Sequence, residues 1–557
     1  MKKIILNISI FHLFILVHSP DGFSQVTKKP APQMENVSRS PKLVVGIVID
    51  QMRYDYLYRY ASHYSAGGFK RLMSEGFSCN NANYNYVPTA TGPGHSAVYS
   101  GTTPAWNGII SNEWFDRSSG KYMYCVSDST VTSVGATGKS GKMSPRNLLC
   151  STITDEVRLA SNFRSKVIGI ALKDRGSILP AGHSANAAYW HDPATNNWIS
   201  SSYYMRELPE WVQAFNRRHL ADTLLSKPWE LLLKPDQYSE SAGDDNLFEG
   251  LYKGEVKPVF PHNLPLIKAQ DSELIRRTPF GNTFTELFAE ATVRGENLGK
   301  GKFTDFLAVS FSSTDYVGHM FGLQAVETED TYLRMDLELS RFLSFLDSWV
   351  GKNNYLLFLT ADHGAAGNPD FMESNHIPGG LFNESGIADS LQRFLEKQIG
   401  PGNFILSANS LGVYLDHQSI REKKYNESEV ETACANYMLQ YDGIATVMTR
   451  TELSRGLERT GLLELVQNGF NQKRSPDITY QANAGWVDWS SHTGTSHGTY
   501  YRYDTHVPLL FFGNGIRHGK TSSRVVIPDI AATIAMMLHI EFPSACTGKP
   551  ITSVLKK

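Results

Sequence analysis

Four mostly apolar runs constrain the fold of this chain more than any other feature. They are Leu43–Ile49, Val167–Leu172, Phe306–Phe311 and Tyr355–Thr360. Continuous apolar strands of this kind are typical of a parallel sheet that is covered on both faces. Each run is followed by polar or charged residues, and open α/β sheets place their sites at the carboxyl ends of the strands. We therefore predict an α/β fold with a mostly parallel central sheet and a site at that edge.

Residues of metal-ligand type follow three of the four runs, and one more stands near the end of the chain. They are Asp50, Asp315, His319, Asp362, His363 and His497. Asp315 and His319 are four positions apart, so on a helical turn both face the same way, which suits two ligands of one metal. Each residue alone is more often a cap or a loop residue. Together, three carboxylates and three imidazoles can hold two divalent cations of the zinc type.

A hydroxyl side chain stands in the segment Pro88–Ser96 (PTATGPGHS). Thr91 lies just before a predicted helix, His95–Ser100, where free N–H groups and the helix dipole favour an anion. An alcohol needs a base or a metal ion to become a nucleophile at neutral pH. Thr91 is therefore the candidate nucleophile, although in isolation it would more simply be a helix N-cap.

Two cations and one amide are candidates for binding an anion. Lys173 and Arg175 follow the second apolar run, and the arginine fork fits phosphate. A solvated charged loop is the alternative interpretation. Asn112 follows a turn, where asparagine is more often a turn former, and it is kept as a weaker candidate.

The N-terminal segment predicts export. Lys2 and Lys3 precede an apolar run, Ile4–Val17, and small or polar residues follow to Gln25, as in a secretory signal. An N-terminal membrane anchor is the alternative, but the run is short for a bilayer. We expect a signal peptide at residues 1–25, a catalytic domain at 26–557, and a periplasmic or secreted protein without stable membrane insertion.

Composition limits the classes of binding partner and the ways in which the cysteines can pair. The formal net charge of -2 gives no field that favours nucleic acid. The five cysteines form no C-x-x-C pair, and because their number is odd at least one thiol lacks an intramolecular partner. A calcium site at an acidic loop such as Asp244-Asp245 is a further alternative, although such loops are more often solvated.

Two long excursions interrupt the strand pattern. Residues 179–281 are rich in aromatic and turn residues and predict an inserted cap-like subdomain. Residues 366–480 predict a second accessory insertion, with strands at Phe404–Leu406, Gly412–Leu415 and Ala445–Met448. His376 within it has no partner at ligand spacing and is left out of the site.

Pro508 predicts that the strand Val507–Phe512 lies at an edge of the sheet.

Together these motifs resemble the alkaline phosphatase superfamily. The resemblance rests on Lys42–Tyr56 (KLVVGIVIDQMRYDY) and on the T-G-P-G-H, S-T-D-Y-V-G-H, T-A-D-H-G and S-H-G motifs. The L-K-D-R and S-P-R-N segments are similar to the PafA-type, phosphate-irrepressible bacterial enzymes with a Thr nucleophile. The resemblance spans essentially the whole chain after the signal. It implies an alkaline-phosphatase-like three-layer sandwich with inserted accessory segments.

The resemblance also implies a role for each candidate. Thr91 would become a phosphothreonine, and one zinc ion would be held by Asp315, His319 and His497. The second zinc would be held by Asp50, Asp362 and His363 and would bind and activate Thr91, which thereby counts among the metal-binding residues. Asn112, Lys173 and Arg175 would bind phosphate oxygens, and the 21-residue step from Thr91 to Asn112 resembles that of nucleotide pyrophosphatases.

The expected function is an exported two-zinc alkaline phosphatase that hydrolyses small phosphate monoesters. The Lys173–Arg175 pair favours the monoester because its phosphate carries more charge than a diester. The nearest alternative is a phosphodiesterase or nucleotide pyrophosphatase. A sulfatase is disfavoured because no C/S-x-P-x-R motif surrounds Thr91, and an exported binding protein without turnover is a further alternative. The oligomeric state is left open, with a monomer as one expectation.

Overall fold

The computed structural model describes residues 40–382, 384–409, 412–456, 460–487 and 492–556. The predicted signal peptide at residues 1–25 lies outside this part of the chain. Every helix in the described ranges is too short or too polar to traverse a bilayer.

The strands are numbered in chain order: β1 (Leu43–Ile49), β2 (Phe77–Cys79), β3 (Ala82–Asn83), β4 (Glu113–Asp116), β5 (Lys121–Tyr124), β6 (Ser133–Val134), β7 (Val167–Ala171), β8 (Ala187–Asp192), β9 (Asn197–Ser201), β10 (Asp305–Phe311), β11 (Tyr355–Thr360), β12 (Gly380–Leu381), β13 (Ile405–Asn409), β14 (Gly412–Leu415), β15 (Ile444–Thr449), β16 (Ile478–Ala482), β17 (Trp486–Val487), β18 (His506–Val507), β19 (Leu509–Gly513), β20 (Gly519–Thr521) and β21 (Val525–Val526).

The α-helices are α1 (Tyr56–Arg59), α2 (Phe69–Glu75), α3 (Thr91–Ser100), α4 (Pro104–Asn107), α5 (Ile153–Ala160), α6 (Asp174–Ala181), α7 (Glu210–Asn216), α8 (Leu220–Leu224), α9 (Leu264–Lys268), α10 (Phe280–Gly295), α11 (Ser313–Phe321), α12 (Val326–Leu346), α13 (Pro369–Ser374), α14 (Glu384–Ile399), α15 (His417–Glu422), α16 (Glu427–Met438), α17 (Arg450–Ser454), α18 (Leu462–Gly469), α19 (Arg502–Thr505) and α20 (Asp529–Leu538).

A ten-stranded, mostly parallel sheet forms the centre of the fold. Its order is β20-β2-β19-β11-β1-β10-β7-β8-β9-β6. The four predicted strands are adjacent in the order β11-β1-β10-β7 and run parallel, so their carboxyl ends share one edge. Every residue of β1 and β10 is buried, which requires cover on both faces of the sheet. The α/β fold with a mostly parallel central sheet is therefore confirmed.

Two groups of helices provide that cover. Helices α3, α5, α6 and α20 pack on one another, and α6 also contacts β7 and β10. Helices α2, α10 and α12 form the other group, in which α10 contacts β7 and β10. Sheet and helices share one continuous hydrophobic core, because each strand presents apolar side chains in both directions.

Two local predictions were wrong. Helix α3 begins at Thr91 and not at His95; Pro93 is compatible with this start because the first turn of a helix does not need its N–H group. The strand after Pro508 does not lie at an edge, because β19 pairs with both β11 and β2. Pro508 itself lies just before β19, where its missing N–H removes no ladder hydrogen bond.

The two excursions differ in what they build. Residues 187–201 of the first supply β8 and β9 of the main sheet, so only the part after Ser201 leaves that sheet. The second carries a separate four-stranded sheet, in the order β13-β14-β16-β15, with its own apolar core.

The five cysteines all lie in the described part of the chain, and each is a free thiol.

Candidate active site

The shared carboxyl edge of β11, β1, β10 and β7 brings the predicted residues together. Asp50 follows β1 directly, and Asp362 lies two residues after β11. Lys173 caps the start of α6 just beyond β7, and Asp315 lies in the first turn of α11 just beyond β10. All four side chains are buried. Residues far apart in the chain therefore meet because their strands are neighbours.

Thr91 is the first residue of α3, and its hydroxyl faces the predicted phosphate ligands. Its Oγ1 lies 3.5 Å from Lys173 Nζ and 3.4 Å from Arg175 Nη2. The next backbone N–H, that of Gly92, donates to Asn112 Oδ1 at 2.7 Å. Lys173 and Arg175 thus face one oxygen at a helix N-terminus, where an anion is favoured, and Asn112 contacts the next residue of the same helix.

The start of α3 packs very closely on the end of β11. A Cβ atom at Gly94 would lie 2.3 Å from the carbonyl oxygen of Asp362. Only glycine allows this approach, since real Cβ atoms do not come so close to backbone oxygen. Gly94, the second glycine of the T-G-P-G-H motif, therefore sets how closely the helix that begins at Thr91 can approach Asp362.

Asp315, His319 and His497 form one cluster of potential metal ligands, whose ligand atoms lie within 4.8 Å of one another. His319 Nε2 is 3.1 Å and His497 Nε2 is 3.8 Å from Asp315 Oδ1. The Nδ1 group of each histidine donates to a backbone carbonyl, Thr495 O at 2.8 Å and Thr89 O at 2.7 Å. These hydrogen bonds turn both Nε2 atoms toward Asp315, as is usual for metal-binding histidines.

A second cluster joins Asp50, His363 and again Asp315. His363 Nε2 lies 3.6 Å from Asp50 Oδ1 and 3.6 Å from Asp362 Oδ2, and its Nδ1 donates to Gly364 O at 2.9 Å. Asp362 therefore contacts His363 but lies at the margin of this cluster. Asp315 belongs to both clusters.

The residues present fit divalent cations. Asp50 Oδ1 and His363 Nε2 are fully buried, and neither has a hydrogen-bond partner among the described residues. Buried polar atoms are normally paired, so atoms of this type call for another partner. Two buried carboxylates, those of Asp50 and Asp315, also share the ammonium of Lys173. Nitrogen and oxygen donors in this arrangement suit zinc or a similar ion.

Burial and charge set the protonation of the site. Burial, reinforced by the carboxylate of Asp362, raises the pKa of Asp50. Burial lowers the pKa of His363, and burial together with His363 and His319 lowers the pKa of His497 well below its usual value. These two imidazoles are therefore neutral, which is the form that binds a metal ion.

Lys173 lies deeper than the sequence analysis expected. Its Nζ is 2.8 Å from Asp50 Oδ2 and 2.5 Å from Asp315 Oδ2, besides its approach to Thr91. Burial alone would lower the pKa of Lys173, but Asp315 and Asp50 outweigh burial and raise it. The charged ammonium thus links the carboxylates to the hydroxyl.

Two residues that hydrogen-bond to predicted site residues were not assigned a role from the sequence. Gln51 has a left-handed φ of 63°; its N–H donates to Asp362 Oδ1 and its Nε2 to Asp315 Oδ1. The Nδ1 atom of His95 is 2.9 Å from Thr91 O, and its Nε2 is 2.8 Å from Ser310 Oγ. His95 stood in the quoted T-G-P-G-H motif, and Gln51 directly follows Asp50, so position gave a signal for both.

A third supporting residue, Asp504, carried no sequence signal. Its Oδ2 accepts hydrogen bonds from Gly498 N, Thr499 N and Thr499 Oγ1, and its carbonyl oxygen accepts one from Gly364 N at 2.8 Å. Asp504 therefore holds the residues that directly follow His497 and His363.

The chain is similar to known proteins over most of its length. Residues 44–506 match the family described as type I phosphodiesterase / nucleotide pyrophosphatase. A protein of Myroides odoratus named calcium-transporting ATPase is 46% identical over 93% of this chain and 95% of its own. Alkaline phosphatase PafA of Elizabethkingia meningoseptica is 43% identical over 94% of this chain and 96% of its own. The crystal structure of wild-type PafA superposes with a TM-score of 0.91, covering 94% of this chain and 100% of that one.

Proposed function

Because the chain belongs to the PafA-type alkaline phosphatases of the type I phosphodiesterase / nucleotide pyrophosphatase family, we propose that it hydrolyses phosphate monoesters through Thr91 with two zinc ions as cofactors. One observation carries the proposal. The Thr91 hydroxyl stands at the N-terminus of α3, faces Lys173 and Arg175, and lies beside two clusters of carboxylates and imidazoles. A candidate nucleophile, two cations that could bind phosphate and two groups of potential metal ligands are therefore contiguous.

The first step is displacement at phosphorus by Thr91 Oγ1. Thr91 Oγ1 loses its proton and bonds to phosphorus as the bond from phosphorus to the leaving-group oxygen breaks. The products are a phosphothreonine and an alcohol, whose oxygen takes up a proton from water. Asn112 accepts from Gly92 N–H through Oδ1, and its Nδ2 group would donate to a phosphoryl oxygen. Arg175 offers a guanidinium to the same oxygens.

The second step returns the enzyme to its starting state. A water oxygen attacks the phosphothreonine, the bond between phosphorus and Oγ1 breaks, and inorganic phosphate leaves. Asp50, Asp362 and His363 would hold one zinc ion, and Asp315, His319 and His497 the other. When bound, these ions would act as Lewis acids that lower the pKa of the Thr91 hydroxyl and stabilise charge on the leaving oxygen.

Charge argues for monoesters over diesters. A monoester phosphate carries about two negative charges near neutrality, and Lys173 and Arg175 both lie within 3.5 Å of Thr91 Oγ1. A diester has one charge fewer and a second substituent where a cation would otherwise bind oxygen. The name of the Myroides relative implies cleavage of ATP by that protein, which would be phosphoryl chemistry of the same kind.

The decisive experiment compares two substrates with the same leaving group. Zinc-loaded protein should hydrolyse p-nitrophenyl phosphate with a kcat/KM about 10- to 100-fold higher than bis-p-nitrophenyl phosphate, the scale of one or two charge-assisted hydrogen bonds. The reverse order would make the protein a phosphodiesterase, and absence of both activities would reject hydrolysis. Phosphate bound without product release would indicate a binding protein.

Export and quaternary structure belong to the same proposal. The argument for a periplasmic or secreted protein rests on the sequence of residues 1–25. N-terminal sequencing of the protein recovered outside the cytoplasm should begin near residue 26, and light scattering of that material would report whether it is a monomer. Protein retained whole inside the cell would contradict export.

A further inference from the structure

The segment 242–250 of the first excursion is tied to the chain between α11 and α12. Ala242 N donates to Gln324 O and Gly250 N donates to Met320 O, each at 2.7 Å. Met320 lies near the end of α11, and Gln324 lies just before α12. The acidic residues between these two ties are therefore held beside the first turn of α12, which carries acidic residues of its own.

Glu249 is the buried acidic residue of this segment, and nothing balances its charge. The residue is 4% exposed, and neither of its carboxylate oxygens has a hydrogen-bond partner among the described residues. Burial, reinforced by the carboxylates of Glu327, Asp244 and Asp245, raises its pKa to about 10. A carboxyl group buried among other carboxylates takes up either a proton or a cation.

Glu327, in the first turn of α12, is a second buried carboxylate with an oxygen to spare. Its Oε1 lies 3.0 Å from His262 Nε2, whereas its Oε2 has no hydrogen-bond partner in the described ranges. Burial raises the pKa of Glu327, but the imidazole of His262 opposes this change. The N-terminus of a helix also favours a negative charge. Oε2 is therefore an anionic oxygen that can accept a cation.

Asp244 adds a third carboxylate, nearer to the surface. Its Oδ1 and Oδ2 accept from Phe260 N at 3.4 and 3.2 Å, and its charge acts on both Glu249 and Glu327. Asp245 differs from it because it pairs with Lys257.

Too little positive charge is present for these three carboxylates. Among the described side chains, the one cation paired with any of them is His262, and it is already shared between Glu255 and Glu327. A proton shared between two carboxyl groups is the simpler alternative to a bound ion. However, no hydrogen bond within the described residues joins Glu249 to Glu327 or to Asp244.

We infer that Asp244, Glu249 and Glu327 bind a calcium ion, at a site separate from the two clusters of potential zinc ligands. Calcium takes six to eight oxygen ligands in irregular geometry, which suits carboxylates from a loop and a helix, and water or backbone carbonyls can complete the set. Magnesium demands a near-ideal octahedron, and zinc prefers nitrogen or sulfur donors.

The site would brace the loop that carries His497. Phe248 lies between Asp244 and Glu249, and its carbonyl oxygen accepts from Gly494 N at 2.8 Å. Gly494 has a φ of 73°, and its backbone packs against the carbonyl of His319 so closely that a Cβ atom would not fit. Calcium that orders the segment 242–250 should therefore also order the residues just before His497.

Titration of zinc-loaded protein with calcium chloride, in the presence of excess zinc, tests the site without reference to turnover. Equilibrium dialysis should find one calcium ion per chain, with a Kd between about 10⁻⁵ and 10⁻³ M. Tm should rise by about 1–3 °C at about 10 to 100 times that Kd. Glu249→Gln should lose this rise, yet its Tm without calcium should match that of wild type, because the amide has the shape of the protonated carboxyl group.

A matched control and a second variant complete the test. Glu286→Gln, at a buried glutamate for which Arg341 provides a counter-charge, should keep the full response to calcium. Asp244→Asn, at a partly exposed position, should weaken calcium binding at least about 10-fold, and it decides the matter if Glu249→Gln does not fold.

The outcomes are independent of the proposed function, because they are measured as binding and as Tm. A calcium-dependent rise that survives in Asp244→Asn and in folded Glu249→Gln would overturn the inference, and so would the absence of calcium binding by wild type. A response to magnesium chloride in place of calcium chloride would reject calcium as the ion.

Discussion

The imidazole rings of His363 and His497 stack with their centroids 3.5 Å apart and their planes inclined by 16°. One ring follows a central strand and the other comes from a late loop, and each is oriented by a hydrogen bond from Nδ1 to a backbone carbonyl. Their Nε2 atoms therefore point into adjacent clusters that share Asp315. This arrangement brings two potential metal positions side by side.

Metal removal is the first prediction. Dialysis against a chelator should abolish phosphatase activity and lower Tm, and zinc should restore both, because three buried carboxylates would lose their counter-ions. Free zinc at about 1,000 times its Kd stabilises the folded state by about 4 kcal/mol. Metal analysis should find two zinc ions per chain. Full activity in metal-free protein would contradict the proposed chemistry.

Thr91→Ala should lower kcat by at least about 10³-fold, since it removes the attacking oxygen. The zinc content should stay near that of wild type, because six other side chains are the proposed ligands. Thr102→Val is a suitable control: Thr102 is also buried, and its hydroxyl lies 3.2 Å from that of Thr547, which is not among the candidate site residues. Turnover by Thr91→Ala close to wild type would remove Thr91 from its role.

Arg175→Ala should reduce kcat/KM for p-nitrophenyl phosphate about 10- to 100-fold and affect the bis-ester less. The guanidinium lies 3.4 Å from Thr91 Oγ1 and is held by the hydroxyl of Tyr124, which accepts from Nη1 at 3.1 Å. Arg146→Ala, at an exposed arginine, is the matched control. Equal losses on both esters would show that charge does not select the monoester.

Asp504→Ala should weaken zinc binding about 10- to 100-fold, the usual effect of losing a group that orients metal ligands. The reason is that the Asp504 carboxylate fixes the backbone directly after His497. The backbone carbonyl of residue 504, which accepts from Gly364 N, is kept in the variant, so the effect should come from the side of His497. Asp504→Asn keeps one acceptor oxygen and should retain most of the affinity. Competition with a chromophoric chelator measures this without reference to turnover; unchanged affinity in both variants would reject the positioning role.

The His262 imidazole should make stability depend on pH in the alkaline range. Burial would lower its pKa, but hydrogen bonds to Glu255 at 2.9 Å and Glu327 at 3.0 Å raise it to about 9. Since the unfolded value is about 6.5, this contribution of about 2–3 kcal/mol is complete below pH 6.5 and is lost as pH rises through about 9.

Comparison of Tm values tests this directly. The difference between wild type and His262→Gln should be largest near pH 6 and should shrink by pH 10. His219→Gln, at an exposed histidine, is the control and should differ little from wild type throughout. A difference for His262→Gln that stays constant across this range would show that the imidazolium is not the source of the stability.

The strands and most of the candidate site residues could be predicted because the patterns that mark them lie within short segments of the sequence. Each apolar run is long enough to identify a buried strand, and the residue that follows its end lies at the carboxyl edge. Asp50 and Asp362 were found in this way, and the structure brings them within reach of one another through His363. The family resemblance then supplied the roles, which the geometry alone does not assign.

What the sequence analysis missed depends on contacts between distant residues. The left-handed backbone of Gln51 and the support given by Asp504 are visible only when several loops are assembled. The prediction of an edge strand from Pro508 was wrong because a proline lacks only its own N–H group. Pro508 lies just outside the paired part of the strand, where that group is not needed. The contact between β12 and β17 was likewise unpredictable, because it is a two-residue parallel pairing between segments far apart in the chain.

The position of β19 in the central sheet has a consequence for how the protein matures. This strand lies between β2 and β11, although it comes more than 140 residues after β11 in the chain. While the polypeptide emerges from a ribosome or a translocation pore, β2 can have no permanent neighbour on that side until residue 513 has appeared. His497 arrives almost as late. On the proposed mechanism, the chain would therefore have no phosphatase activity until nearly all of it has left the ribosome or the pore.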